Sequence, residues 1–236
     1  MLLDSRISTT SNLTLLRQVV SRPREQVWKY RRLDPAFKTA LYESLESQFG
    51  DMDCLSKTFT FSFIASSELG EWCSNRVWTY ALAEAMLPKL HGKITSAFKR
   101  LALEEANTKI EADTKRLEQA HDVVVNYMSR DSDILSQVSP KVLLLHEMLS
   151  KNFEDQPDTK CIVFTKRRHT ARLLGHLFTV LKVPNLRTGV LIGVKSGDDA
   201  GMNTTYHQQF KVMMSLRKGE LNCLVCICPL QIQHQC

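Results

Sequence analysis

The sequence predicts an α + α/β chain, a helical bundle followed by part of an α/β domain built on a parallel sheet. Three observations predict it. As far as Leu149, apolar residues recur at three- and four-residue spacings, the period of helices with one buried face. From Lys160 the texture changes to short apolar runs alternating with amphipathic segments of helix length, which implies βαβ units. Between the two textures, Asn152 to Thr159 is polar and contains Pro157, so a domain boundary is expected between Ser139 and Thr159.

Residues 1–33 read as a lead-in with one helix, whose face carries Leu13, Leu16, Val19 and Val20. Residues 34–138 read as the bundle. Asp34-Pro35 is a helix start, with Phe37, Leu41 and Leu45 on one face and Gly50 as the stop. Phe59, Phe61 and Phe63 alternate with Thr60 and Ser62 as in a strand, yet Leu55, Phe59 and Phe63 also form a helical stripe. Helix is the expected outcome, broken near Gly70 and continuing from Trp72 to Leu90. Pro88 and Gly92 are expected to bracket the next break. Ile94 to Met128 follows as one amphipathic helix with a solvated face of mixed charge. Ser139 caps a helix that opens at Pro140 and buries Val142, Leu145 and Leu149. Beyond the linker, strands are expected at 161–164, 187–192 and 221–227, with helices at 170–181 and 204–216.

Composition narrows the function classes. The 236 residues, 43% hydrophobic and 24% charged, suffice for one large domain or two small ones. A formal charge of +6 permits a nucleic-acid partner without requiring one. No apolar run is long enough to span a bilayer, so no membrane partner is expected. The N-terminus lacks the layout of a secretory signal. Seven scattered cysteines, an odd number, read as reduced thiols in a cytoplasmic or nuclear protein rather than a disulfide framework.

The chemistry gathers at Lys160–Leu174. A buried strand there runs into the basic turn Lys166-Arg167-Arg168-His169 and then into a helix. Open α/β sheets bind ligands at the carboxyl ends of their strands, and arginine forks with helix N–H groups suit phosphate. The plain alternative is a solvated loop with excess charge. Gly193 to Gly201 is glycine-rich but lacks the Gly-Lys-Ser/Thr run of a phosphate loop. Cys223-x-x-Cys226-x-Cys228, with His234 and Cys236, has the look of a zinc set. A strand, however, points neighbouring cysteines to opposite faces, so no metal is expected. His91, His121, His146 and His176 stand alone on predicted helix surfaces.

From Ile162 to Leu174 the chain resembles motif IV of the superfamily 2 RNA helicases, in the form carried by Dicer-like ribonucleases. Arg187 to Gly193, Gly201-Met202 and Gln208-Gln209-Phe210 resemble the next block of that domain. Leu216 to Val225 resembles its run-up to motif V. Leu3 to Thr10 and Ser139 to Val142 are similar to segments flanking the helical insertion of fungal Dicers.

The resemblance implies two RecA-like domains with a helical insertion between them. Residues 34–138 would be the insertion bundle and 139–236 a partial second RecA-like domain. It implies RNA-backbone contacts at Thr165, Lys166, Arg168, Gly193, Lys195 and Gln208. It further implies double-stranded RNA as partner, gripped by shape, with a double-stranded-RNA-binding protein docking on the bundle of some members. ATP and magnesium are expected only of a full-length relative acting in RNA silencing and antiviral defence. The ATP-binding loop, motif VI and ribonuclease III domains find no match here, so the chain itself is expected to bind without catalysis, holding no cofactor. After Val225 the family pattern stops, which suggests a truncated product or an incomplete gene model. Two alternatives remain, a non-catalytic interaction module on the bundle and a piece of a related DNA-remodelling helicase.

Overall fold

A computed structural model describes residues 37–128, 133–193 and 205–227. The expected lead-in helix, the Asp34-Pro35 start, Gly201-Met202, and Cys228, His234 and Cys236 lie outside these residues. The described chain divides into two compact units, changing from one to the other at Val138.

The first unit is helical: α1 (Ala40–Phe49), α2 (Ser56–Leu69), α3 (Glu71–Ala81), α4 (Leu87–Ala97) and α5 (Leu103–Met128). Helix α1 is capped by Thr39, whose Oγ1 accepts from the Tyr42 N–H at 3.1 Å. The Phe59 ambiguity resolves as helix, because Ser62, which a strand would face away from the core, is fully buried. It interlocks with Ser74 through an Oγ–Oγ bond of 2.8 Å and a Ser74 Oγ bond to the Ser62 carbonyl at 3.0 Å. This polar clasp joins α2 to α3. Around it Tyr42, Phe59 and Trp78 pack edge to face, with ring centroids 5.3 and 4.7 Å apart. Gly70, at φ 104, ends α2 in a conformation open to glycine and donates to the carbonyls of Ala65 and Ser66.

Two expectations for this unit are corrected. Pro88 and Gly92 do not bracket a break, since both lie inside α4. Proline's missing N–H falls in the first helical turn, where no intrahelical partner exists, so Pro88 opens the helix. The breaks fall instead at Leu82–Met86 and Phe98–Ala102, where no glycine or proline marks them. Trp72–Leu90 and Ile94–Met128 are therefore each interrupted.

The second unit contains α6 (Pro140–Asp155), β1 (Cys161–Thr165), α7 (Arg168–Leu181), β2 (Thr188–Leu191), α8 (Tyr206–Lys218) and β3 (Cys223–Ile227). Ser139 caps α6, accepting from the Val142 N–H, and the helix runs four residues into the expected linker before ending at Asp155. The three strands are all parallel, in the order β1-β3-β2, with Cys161 and Thr188 both level with Cys223. Every strand thus ends at the same edge. A Cβ on Gly175 of α7 would meet Val190, whereas one on Gly189 would meet Val212 of α8. Neighbouring strand residues point to opposite faces, so α7 and α8 cover opposite sides of the sheet. Helix α7 buries Leu173, Leu174, Leu177 and Phe178, while α8 has no fully buried residue. The α + α/β class is thus the observed one.

Candidate nucleic-acid interface

At the carboxyl edge of the sheet the described residues are those that follow β1 and β2. After β1, Lys166 and Arg167 form a bend and α7 starts at Arg168. Arg167 occupies the capping position with extended backbone and no side-chain cap, so the first amides of α7 have no side-chain acceptor from that residue. The Thr165 hydroxyl shares its proton between the carbonyls of Arg167 at 3.1 Å and Cys226 at 3.3 Å. That bond pins the turn to β3, with Thr165 only 3% exposed.

After β2, Arg168 Nη2 donates to the Gly193 carbonyl at 2.5 Å, and Gln209 Nε2 donates to the Ile192 carbonyl at 2.7 Å. Both helices therefore hold the end of the edge strand. Lys166 is exposed, and among the described residues no carboxylate pairs with it. Neither α7 nor α8 carries an acidic residue, so nothing on these helices neutralises the cations of the edge.

Among the sequence-predicted residues, the structure brings Thr165, Lys166, Arg168 and Gly193 together. Thr165 stands there as a wall residue, its hydroxyl turned inward to backbone carbonyls. Gln208 is elsewhere employed: its Oε1 accepts from the Thr205 N–H at 2.9 Å, and its own N–H donates to Thr205 Oγ1 at 3.2 Å. This reciprocal cap begins α8. Lys195 lies outside the described residues. Two residues have environments that the sequence does not reveal. Gln209 follows Gln208 directly, and the hydrophobic period of α8 gives no sign of which glutamine reaches the sheet. Arg172, one turn beyond Arg168, buries Nη1 with no partner among the described residues. Its four-residue spacing from Arg168 was the available signal.

A shallow groove of about 620 Å³ lies beside the edge, between β2 and α8, lined by Leu191, Tyr206, Phe210, Met213 and Arg217. Its walls are apolar, which suits neither a nucleotide nor a metal. Among the described residues no group of three His, Cys, Asp or Glu side chains is placed to hold a metal ion. Cys223 is fully buried, and its thiol titrates well above the ordinary range because Cys161 bonds it and burial disfavours thiolate. The four lone histidines all lie on helices and are half-buried. No helix among the described residues is long and apolar enough to cross a membrane.

No protein-family model matches the chain. Dicer-like protein 1 of Aspergillus fumigatus is 49% identical over 222 residues, covering 94% of this chain. Dicer-like protein 1 of Phaeosphaeria nodorum is 34% identical over 226 residues and that of Cryphonectria parasitica 31% over 227, each again covering 94% of this chain. The chain spans only 14% of the Aspergillus fumigatus protein's length. Among solved structures, the Pyrococcus furiosus Hef helicase domain aligns over 94% of this chain and 41% of that chain. Its sequence identity is 16% and the TM-score 0.37, a likeness too loose to carry an argument.

Proposed function

The chain is homologous over 94% of its length to one segment of Dicer-like protein 1, and from that premise we propose that it grips the phosphate backbone of double-stranded RNA. The observation that carries the reading is the cationic edge of the sheet, where Lys166 and Arg167 precede Arg168, Arg168 bonds the Gly193 carbonyl, and neither flanking helix carries an acidic residue. Lys166 and Arg167 reach phosphates. Arg168 fixes the Gly193 turn, whose missing side chain admits a sugar–phosphate strand. A-form RNA hides its base edges in a deep groove, so contacts of this kind read shape and charge rather than sequence.

In this reading the chain contributes binding to a longer, ATP-driven enzyme of RNA silencing, while hydrolysis and strand cleavage belong to other segments of that enzyme. The chain by itself hydrolyses no ATP. Titration of a fluorescent RNA duplex across a salt series tests the contact. Lys166→Ala and Arg167→Ala should each lower the slope of log K against log salt by about one unit. Unchanged slopes for both variants would remove the basic turn from the interface. Preference for branched DNA over the RNA duplex would favour a DNA-remodelling relative instead.

A further inference from the structure

We propose that the outer edge of β2 and the groove beside it form a protein-docking site. It takes an extended segment of another protein in which apolar residues alternate with acidic ones. The site lies on the α/β unit and does not rest on the RNA contact proposed for the basic turn.

Helix α8 carries the first observation. Tyr206, Phe210, Met213 and Arg217 recur at three- and four-residue spacings, which sets them in one line along the helix. An apolar line of this kind ordinarily packs into a core. Here Tyr206 is 78% exposed, Phe210 65% and Met213 36%, and the line forms one wall of the groove of about 620 Å³. Contiguous apolar surface left open in this way suits a partner chain.

Strand β2 carries the second observation. Among the described residues it pairs with β3 alone, so it ends the sheet on its other side. The Cys223 N–H donates to the Arg187 carbonyl, which fixes the phase of that parallel ladder. The backbone groups of Gly189 and Leu191 then face β3, and those of Thr188 and Val190 face outward. Edge strands are commonly blunted by a charge or a proline, and Thr188–Leu191 has neither. A strand added along this edge would place every second side chain on the face where α8 packs. Leu191 lines the groove on that same face. Main-chain bonds and side-chain burial would therefore act together, as in strand addition generally. At about 3.3 Å per residue, β2 offers roughly 13 Å of edge to such a segment.

Charge selects the partner. From Lys160 to Ile227 eleven Lys and Arg stand against three acidic residues, Asp198, Asp199 and Glu220. Arg217 lines the groove, and among the described residues no carboxylate pairs with it or with Lys211. A second copy of the chain would bring these cations together, whereas acidic side chains would complement them. The apolar walls disfavour a phosphate backbone as the occupant.

The test selects peptides of about ten residues from a random displayed library on the whole chain and measures the enriched sequences by fluorescence anisotropy. These should alternate apolar residues with Asp or Glu. Combined Tyr206→Ser and Phe210→Ser should weaken them at least tenfold with Tm unchanged, since both side chains are exposed. Arg217→Gln should weaken them several-fold at low salt and less at high salt. Methylating every second peptide amide should abolish binding in one phase of the alternation and spare it in the other. Enriched sequences without acidic residues overturn the partner's chemistry. Peptides that bind parent and double variant alike overturn the groove, and insensitivity to methylation in both phases overturns strand addition. A dimer in sedimentation equilibrium that the double variant dissolves would give the groove to a second copy. Loss of RNA-duplex binding in that variant would give it to nucleic acid. Either result overturns the proposal.

Discussion

Asn222 is 2% exposed and satisfies five backbone groups with one side chain and its own peptide units, its N–H donating to the Arg187 carbonyl at 3.0 Å. Its Oδ1 accepts from the Arg187 N–H at 2.7 Å, and its Nδ2 donates to the carbonyls of Asn185 at 2.7 Å and Pro157 at 3.2 Å. Its carbonyl accepts from the Cys161 N–H at 2.9 Å. One residue thus ties the entries of all three strands. Asn222→Ala leaves buried donors and acceptors without partners, so chemical denaturation should show a loss of about 2–4 kcal/mol. A second residue-scale effect follows pH. Arg116 donates to both carboxylate oxygens of Asp51, holding that carboxyl below its usual range. A lowered folded-state pKa means the contribution is present at neutral pH and lost as pH falls below about 4. Asp51→Asn should therefore flatten the acid limb of a stability-against-pH curve and leave its alkaline limb unchanged. Neither residue was legible in the sequence. Asparagine before an apolar run reads as a turn residue, and Arg116 among mixed charges reads as a solvated face. Long-range partners decide both, and spacing along the chain does not carry them.

At the scale of elements, the sequence was most legible where one residue type forces one local geometry. Ser139-Pro140 starts α6 and Gly70 separates α2 from α3, because a capping hydroxyl, a proline ring and a positive φ act within a few bonds. Pro88 was misread for the converse reason. Its ring permits a first turn as readily as it breaks an interior one, and only the preceding Leu82–Met86 break decides between them. The packing of α7 onto the sheet was not legible at all. A Cβ on Gly175 would come within 2.2 Å of Val190 Cγ2, so glycine is what lets α7 approach β2. Gly175→Ala should lower stability by about 1–3 kcal/mol despite its better helix propensity. Pairing it with Val190→Ala, which vacates the contact, should recover part of the loss. If the double variant were no better than the sum of the two single changes, steric approach would not be the cause.

For the molecule as a whole, the two textures of the sequence correspond to two compact units with separate cores. The helical core gathers Leu41, Leu45, Phe59, Trp78 and Leu117, all before Val138. The α/β core gathers Val163, Leu173, Leu177, Phe178 and Val225. The candidate interface was legible to the same degree. The strand, basic turn and helix were read from local pattern, as was the cluster of Lys166 with Arg168. The Arg168–Gly193 bond and the diversion of Gln208 into a helix cap depend on how β2 and α8 pack, which no local pattern encodes. Separate cores carry a consequence for unfolding. Cooperativity follows shared buried contacts, so each unit is expected to melt as its own transition. Phe59→Ala removes an aromatic from the helical core and Phe178→Ala one from the α/β core, each at about 3–5 kcal/mol. In calorimetry each should lower one transition and leave the other in place, and an RNA duplex should raise the transition of the unit that carries the basic turn. One transition displaced equally by both substitutions would mean that the two cores unfold as one.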